Sequence, residues 1–150
     1  MRVLLAVLLV GIAGCGDEEQ VALENLRSLG VRVENGFDGK RVLFNHSPNA
    51  SKISDDDLLP LLKLSRVESV SLAHTSITDE GLSHLGGLTN LKSLTLSYTA
   101  ITDAGLVHIK GLAQLRDLTL PKRITDAGIT DLQNSLPNCK IEKAKVIVLP

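Results

Sequence analysis

Aromatic residues are almost missing from this chain: 2% of 150 residues, with no tryptophan, one tyrosine and two phenylalanines. That scarcity removes the raw material of base-stacking platforms, aromatic sugar-binding surfaces and the aromatic hot spots that carry most interface energy. An excess of either charge is missing too. Lys and Arg number 16 against 17 Asp and Glu, so the chain carries no electrostatic footprint for a nucleic acid, and none is expected as a partner. Catalytic signatures are also absent. No Ser stands in a Gly-x-Ser-x-Gly elbow, no Gly-rich loop with a Lys could cradle phosphate, and no carboxylate pair is placed to split its acidities. The composition therefore argues against an enzyme and implies no cofactor, and a core must come from Leu, Ile and Val.

What is present begins with a distinct leader. MRVLLAVLLVGIAGCG offers Arg2, an apolar run from Val3 to Ile12, then the small residues Ala13 and Gly14 before Cys15. This is the layout of a secretory signal. The run is too short for a permanent membrane span, which needs about 20 apolar residues. Ile12-Ala13-Gly14-Cys15 resembles the lipobox of bacterial lipoproteins, in which cleavage precedes the Cys and the Cys is acylated. That resemblance implies a signal peptide over 1–14, lipidation at Cys15 and anchoring to a membrane of the bacterial cell envelope, facing periplasm or exterior. An ordinary signal peptide with a chance Cys is the alternative. With Cys15 acylated, only Cys139 remains and no internal disulfide can form.

Three nearly identical phrases follow: ITDEGL from Ile77, ITDAGL from Ile101 and ITDAGI from Ile124, with the looser ISDDDL from Ile53. Ile53, Ile77, Ile101 and Ile124 space the units 24, 24 and 23 residues apart. In each unit Leu recurs at spacing three (Leu82, Leu85, Leu88), the stripe of a short helix, and then alternates with hydroxyl residues (Leu94 and Leu96 against Ser93, Thr95 and Ser97), the pattern of a half-buried strand. Neither element can bury its apolar side alone. Stacked coils would place neighbouring strands in one parallel sheet over a continuous core.

LTNLKSLTLSYTAITDAGLVHI resembles a leucine-rich repeat, in particular the form common in bacterial secreted chains that carry Thr-Ile-Thr-Asp-Ala-Gly-Leu in each unit. The resemblance implies an α/β fold, a right-handed βα superhelix of about four repeats. It also implies binding of another macromolecule, here an unidentified protein partner, rather than catalysis. A structural envelope component without a specific ligand is one alternative, and an enzyme subunit another. No feature of the sequence sets an oligomeric state. Where the family's commonest form has Asn after the strand, this chain has Thr75, Thr99 and Arg123; a Thr hydroxyl there can bond nearby backbone.

Within the hexad, Ile is expected to plug the core. The Thr-Asp pair is expected to cap the following helix, which makes Asp55, Asp79, Asp103 and Asp126 caps rather than cation ligands. Gly81, Gly105 and Gly128 are expected to leave room between coils; Asp57 takes the Gly position in the first unit, which predicts looser or differently arranged packing there. Residues 15–52 read as lipidated Cys, tether and N-terminal cap: a helix over Glu18–Leu29 ended by Gly30, then a strand, a turn at Asn35-Gly36 and a second strand holding Val42 and Phe44. Residues 53–150 read as repeats and C-terminal cap, with the repeat pattern fading after Ser135 and Val146–Leu149 available as a last strand.

Strand alternation puts Ser69, Ser71 and Ala73, then Ser93, Thr95 and Ser97, then Asp117, Thr119 and Pro121 on the outward face of the sheet. This is the candidate binding face, unless it is merely solvated. His46, His74, Tyr98 and Lys122 would line one rim as a contact strip. His84 and His108 share a repeat position, but a zinc site wants three or four ligands and no third is placed with them, so both read as solvated helix residues and no metal is expected.

Overall fold

The computed structural model describes residues 16–145, which form six strands in one sheet, ordered β1 to β6 in chain order. α1 (Gly16–Ser28) precedes an antiparallel hairpin of β1 (Arg32–Asn35) and β2 (Lys40–Leu43). β2 then pairs in parallel with β3 (Val67–Ser71), and the parallel order continues through β4 (Ser93–Thr95), β5 (Asp117–Leu120) and β6 (Lys140–Lys143). Repeat-equivalent residues are register partners: Val42 faces Val70, which faces Leu94, Leu118 and Ile141 in turn. Each return path crosses the other side of the core as a short helix. These are a 3-10 segment at Asp55–Lys63, α2 (Asp79–Leu85), a 3-10 segment at Asp103–Ile109 and α3 (Asp126–Ser135).

One core runs the length of the array, from Ala22 and Leu26 of α1 to Leu136 and Cys139. Leu72, Leu96 and Leu120 have 0% exposure, as do Ile77 and Ile101 of the hexads. Burying one such Leu is worth about 1.5–3 kcal/mol. Thr75 and Thr99 are buried and donate to the carbonyls of Leu72 (2.6 Å) and Leu96 (2.7 Å), so a Thr rather than an Asn closes the turn after the strand. Arg123 instead reaches the carbonyl of Ala100 with Nη1 at 3.4 Å.

Several expectations are corrected. Phe44 is wholly buried but lies in a 3-10 turn (Phe44–His46), because the chain bends under the sheet after Leu43. The hairpin connection is Gly36 to Gly39, closed by Gly36 N–H donating to the Gly39 carbonyl, rather than a two-residue turn at Asn35-Gly36. The repeat does not fade after Ser135: Leu136 and Cys139 are buried and β6 keeps register with β5. Val146–Leu149, like Cys15 and the leader, lies outside the described residues.

Candidate functional site

The hexad supplies the joint on which the sheet is built. Thr78, Thr102 and Thr125 each cap the following helical turn, their hydroxyls accepting from Glu80 N–H, Ala104 N–H and Gly128 N–H. The Asp beside each Thr does not cap. It reaches across to the next coil: Asp55 accepts from Thr78 N–H (2.8 Å) and Thr78 Oγ1 (2.6 Å), and Asp79 likewise from Thr102 (2.7 and 2.6 Å). Asp103 does the same with Thr125 (2.9 and 2.5 Å). The expectation of Asp caps is therefore corrected: Thr takes the capping geometry, which frees the carboxylate for two inter-coil bonds. A Cβ on Gly81 or Gly105 would run into the carboxylate of Asp55 or Asp79, and one on Gly128 would lie 2.7 Å from Asp103 Cγ. Each Gly makes room for the preceding coil's Asp. The first repeat has no preceding coil with such an Asp, and there the packing is differently arranged: Asp57 accepts from Ser54 N–H (2.8 Å) in a capping box. At the other end Asp126 pairs with Lys143 at 2.7 Å.

With the coils locked in register, the outward sheet positions form rows. One row reads Arg41, Ser69, Ser93, Asp117, Lys140; the next reads Leu43, Ser71, Thr95, Thr119, Glu142. Ser97 lies beyond Thr95 at the same half-exposed level, while Asp117 is exposed. Ala73 and Pro121 leave this face. Both lie past their strand ends and are buried. Within the described residues the side chains of Ser54, Ser76, Thr78, Thr102 and Thr125 are all hydrogen-bonded to protein. Among the described residues the hydroxyls of Ser69, Ser71, Ser93, Thr95, Ser97 and Thr119 take no part in such bonds, and all six side chains are half-exposed. Adjacent strands lie about 4.8 Å apart, so the open hydroxyls form a polar, nearly flat patch.

The rim is partly assembled. His74 and Tyr98 stack with ring centroids 4.5 Å apart and an interplanar angle of 12°. Both take the left-handed backbone (φ 62° and 58°) just past their strands, which aims equivalent side chains along the same edge. Tyr98 Oη donates to the carbonyl of Lys145 at 3.1 Å. His46 instead meets Asn45 across 3.3 Å, and Lys122 is exposed outside the stack.

Among the described residues no group of three or more His, Cys, Asp or Glu could hold a metal ion. Burial first, and the negative charge of Asp117 second, push the Cys139 thiol up to about 11, which leaves it protonated and a poor nucleophile at neutral pH. A shallow groove of about 600 Å³ lies between α1 and the first 3-10 segment, floored by Val21, Leu59 and Pro60 under Asp17, Glu18 and Asp56, with Lys63 also in its lining.

Residues 66–86 and 87–109 match the family model described as Leucine Rich repeat. The fold is a leucine-rich-repeat solenoid. Among solved structures the chain is similar to internalin C2 from Listeria monocytogenes str. 4b F2365, with 29% identity over 59% of this chain and 39% of that one and a TM-score of 0.44. The solenoid thus spans well under half the length of that protein. No curated protein matches the chain. The open hydroxyl patch and the stacked rim are placed by the repeat itself. Alternation put the strand hydroxyls on the outward rows, together with Ala73 and Pro121, which are buried; the inter-coil Asp–Thr bonds escaped it, although each Gly one coil after an Asp was their trace.

Proposed function

We propose that the protein is a noncatalytic protein-binding module, displayed on a bacterial envelope membrane by a lipid anchor at Cys15, whose repeats belong with the ITDAGL-bearing bacterial type. The observation that carries the binding reading is the patch of unengaged hydroxyls, five of them in register across β3, β4 and β5 and Ser97 just past the end of β4. Leucine-rich repeats commonly serve protein binding, and this face offers hydrogen-bonding groups with charges only at its edges: Arg41 on one side, Asp117, Lys140 and Glu142 on the other. The partner contact is polar, suited to an extended segment or loop that lies along the rows. The anchor rests on the Cys15 leader.

Crosslinking in intact envelopes tests both parts. One stoichiometric partner is expected with the wild-type chain, lost in Ser93→Arg and Thr95→Arg and retained in Val107→Arg, an exposed position on a return path. A partner insensitive to both face substitutions would reject the patch. Cys15→Ser is expected to leave the precursor uncut or release unlipidated protein; unchanged membrane attachment would rule out the anchor.

A further inference from the structure

Of the three aromatic residues in the chain, Phe44 is buried in the core and Tyr98 is stacked on His74. Phe37 has neither shelter. It stands wholly exposed at the tip of the β1–β2 hairpin. The tip does not hold it out by accident of a loose loop. Gly36 N–H closes the connection on the Gly39 carbonyl at 2.8 Å, and Gly39 lies so close to the Arg66 carbonyl that any side chain there would collide. Lys92 Nζ holds Asp38, the neighbour of Phe37, at 3.6 Å.

The position of this tip gives Phe37 a meaning. α1 begins at Gly16, one residue after Cys15, and its first turn is fastened to the tip end of the hairpin, where Lys40 pairs with Asn35. Glu19 Oε1 is 2.6 Å from Lys40 Nζ and also accepts from Ser65 N–H at 3.1 Å. Glu18 pairs with Lys63 at 2.8 Å. The start of α1, the hairpin tip and the loop before β3 therefore occupy the edge of the solenoid at which its parallel strands begin, and the His74–Tyr98 rim, past the far ends of the strands, occupies the opposite edge. The carboxylates nearest the tip are each paired with a lysine, Asp38 sharing Lys92 with Glu68, which limits repulsion from an anionic surface, and Arg66, exposed beside the tip, belongs to no ion pair among the described residues.

We propose that Phe37 is a second membrane contact, dipping into the bilayer interface beside the Cys15 anchor and standing the solenoid on the edge at which its strands begin. The proposal rests on the lipid-anchor reading. A flexible acyl tether alone leaves the domain free to tumble. An apolar side chain on a rigid tip, with a cation beside it, adds the second point that fixes an orientation. Upright, the hydroxyl face looks sideways along the membrane and the His74–Tyr98 rim points away from it, both open to a partner.

The absence of tryptophan makes the test direct. Phe37→Trp and Tyr98→Trp each give the lipidated, full mature chain a single indole fluorophore, at opposite edges of the solenoid. On phosphatidylcholine vesicles, the emission of the Phe37→Trp chain is expected to shift to the blue and to lose most of its intensity when the acyl chains are brominated, while that of the Tyr98→Trp chain does neither; unchanged far-UV circular dichroism verifies the fold. Phe37→Trp protein that floats with vesicles while its indole stays solvent-like overturns the proposal, leaves the anchor standing and assigns Phe37 to a protein contact. Flotation unaffected by adding Cys15→Ser, with the hairpin-tip indole still quenched, removes the anchor and supports the tip contact. Lipidated protein that does not float at all overturns both.

Discussion

Asp79 and Gly105 are one interaction written in two repeats, and their coupling can be measured. Gly105→Ala forces a methyl against the Asp79 carboxylate and is expected to cost about 1–3 kcal/mol. Asp79→Ala removes two bonds to Thr102 and is expected to cost a similar amount. The double variant should be more stable than the two losses added together, because the methyl then occupies the vacated carboxylate space; additivity in urea denaturation would refute the clash. Asp103 makes the same tie pH-dependent. Bonds from the Thr125 hydroxyl first, and from its backbone N–H second, hold the Asp103 carboxyl below its ordinary value of 3.8. A folded value below the unfolded one stabilises the fold fully above that ordinary value, and the contribution is lost as pH falls through the lowered one. Asp103→Asn should therefore flatten part of the acid limb of the urea midpoint below about pH 4, the remainder belonging to Glu18, Glu19 and Glu142, whose carboxyls are lowered by lysine partners. Cys139 is expected to resist iodoacetamide at about pH 8 and to react only after denaturant is added, since burial keeps its thiol protonated. Labelling of the native protein would contradict its place in the core.

At the scale of elements, the leucine spacing carried more than was read from it. Leu58, Leu61 and Leu64, and Leu106, Ile109 and Leu112, recur strictly every three residues, and both return paths are 3-10, whose three residues per turn bring such positions onto one line. Ile129, Leu132 and Leu136 step by three and then four, and that path is α-helical. α2 shares the triple spacing yet closes as α, with Leu88 beyond its end. Pro60 inside the first segment also lacks the N–H that a longer α-helix would require. Strands, repeat-equivalent core positions and the hydroxyl face were legible because alternation is a local signal. The Asp–Thr ties were not, because they join residues 22 or 23 positions apart and become visible only once the register of coils is known. Thr102 serves both levels, capping through Ala104 N–H while donating to Asp79 Oδ2. Thr102→Ala is therefore expected to lose about 1–3 kcal/mol. Thr102→Ser should lose far less by thermal melting, and equal losses would show that the methyl, not the hydroxyl, matters.

For the whole molecule, the continuity of the interior sets the mode of unfolding. Leu72, Leu96 and Leu120 form one line through successive coils with no polar layer between them, and each coil depends on its neighbours for part of its burial. An array this short has no coil that can persist once an adjacent one opens, so unfolding should be a single transition. Leu96 sits in the middle of the line at 0% exposure, and Leu96→Ala is expected to cost about 2–5 kcal/mol. The decisive reading is where that loss appears. Amide exchange should accelerate together in β3, β4 and β5 and in the α1 cap, because the cavity weakens the shared core rather than one repeat. If exchange quickened only in β4 and its return path while α1 and β3 kept wild-type protection, the coils would be independent units. The Asp–Thr ties would then be surface ornaments instead of the joints that transmit stability, and with it the register of the hydroxyl face, from one end of the solenoid to the other.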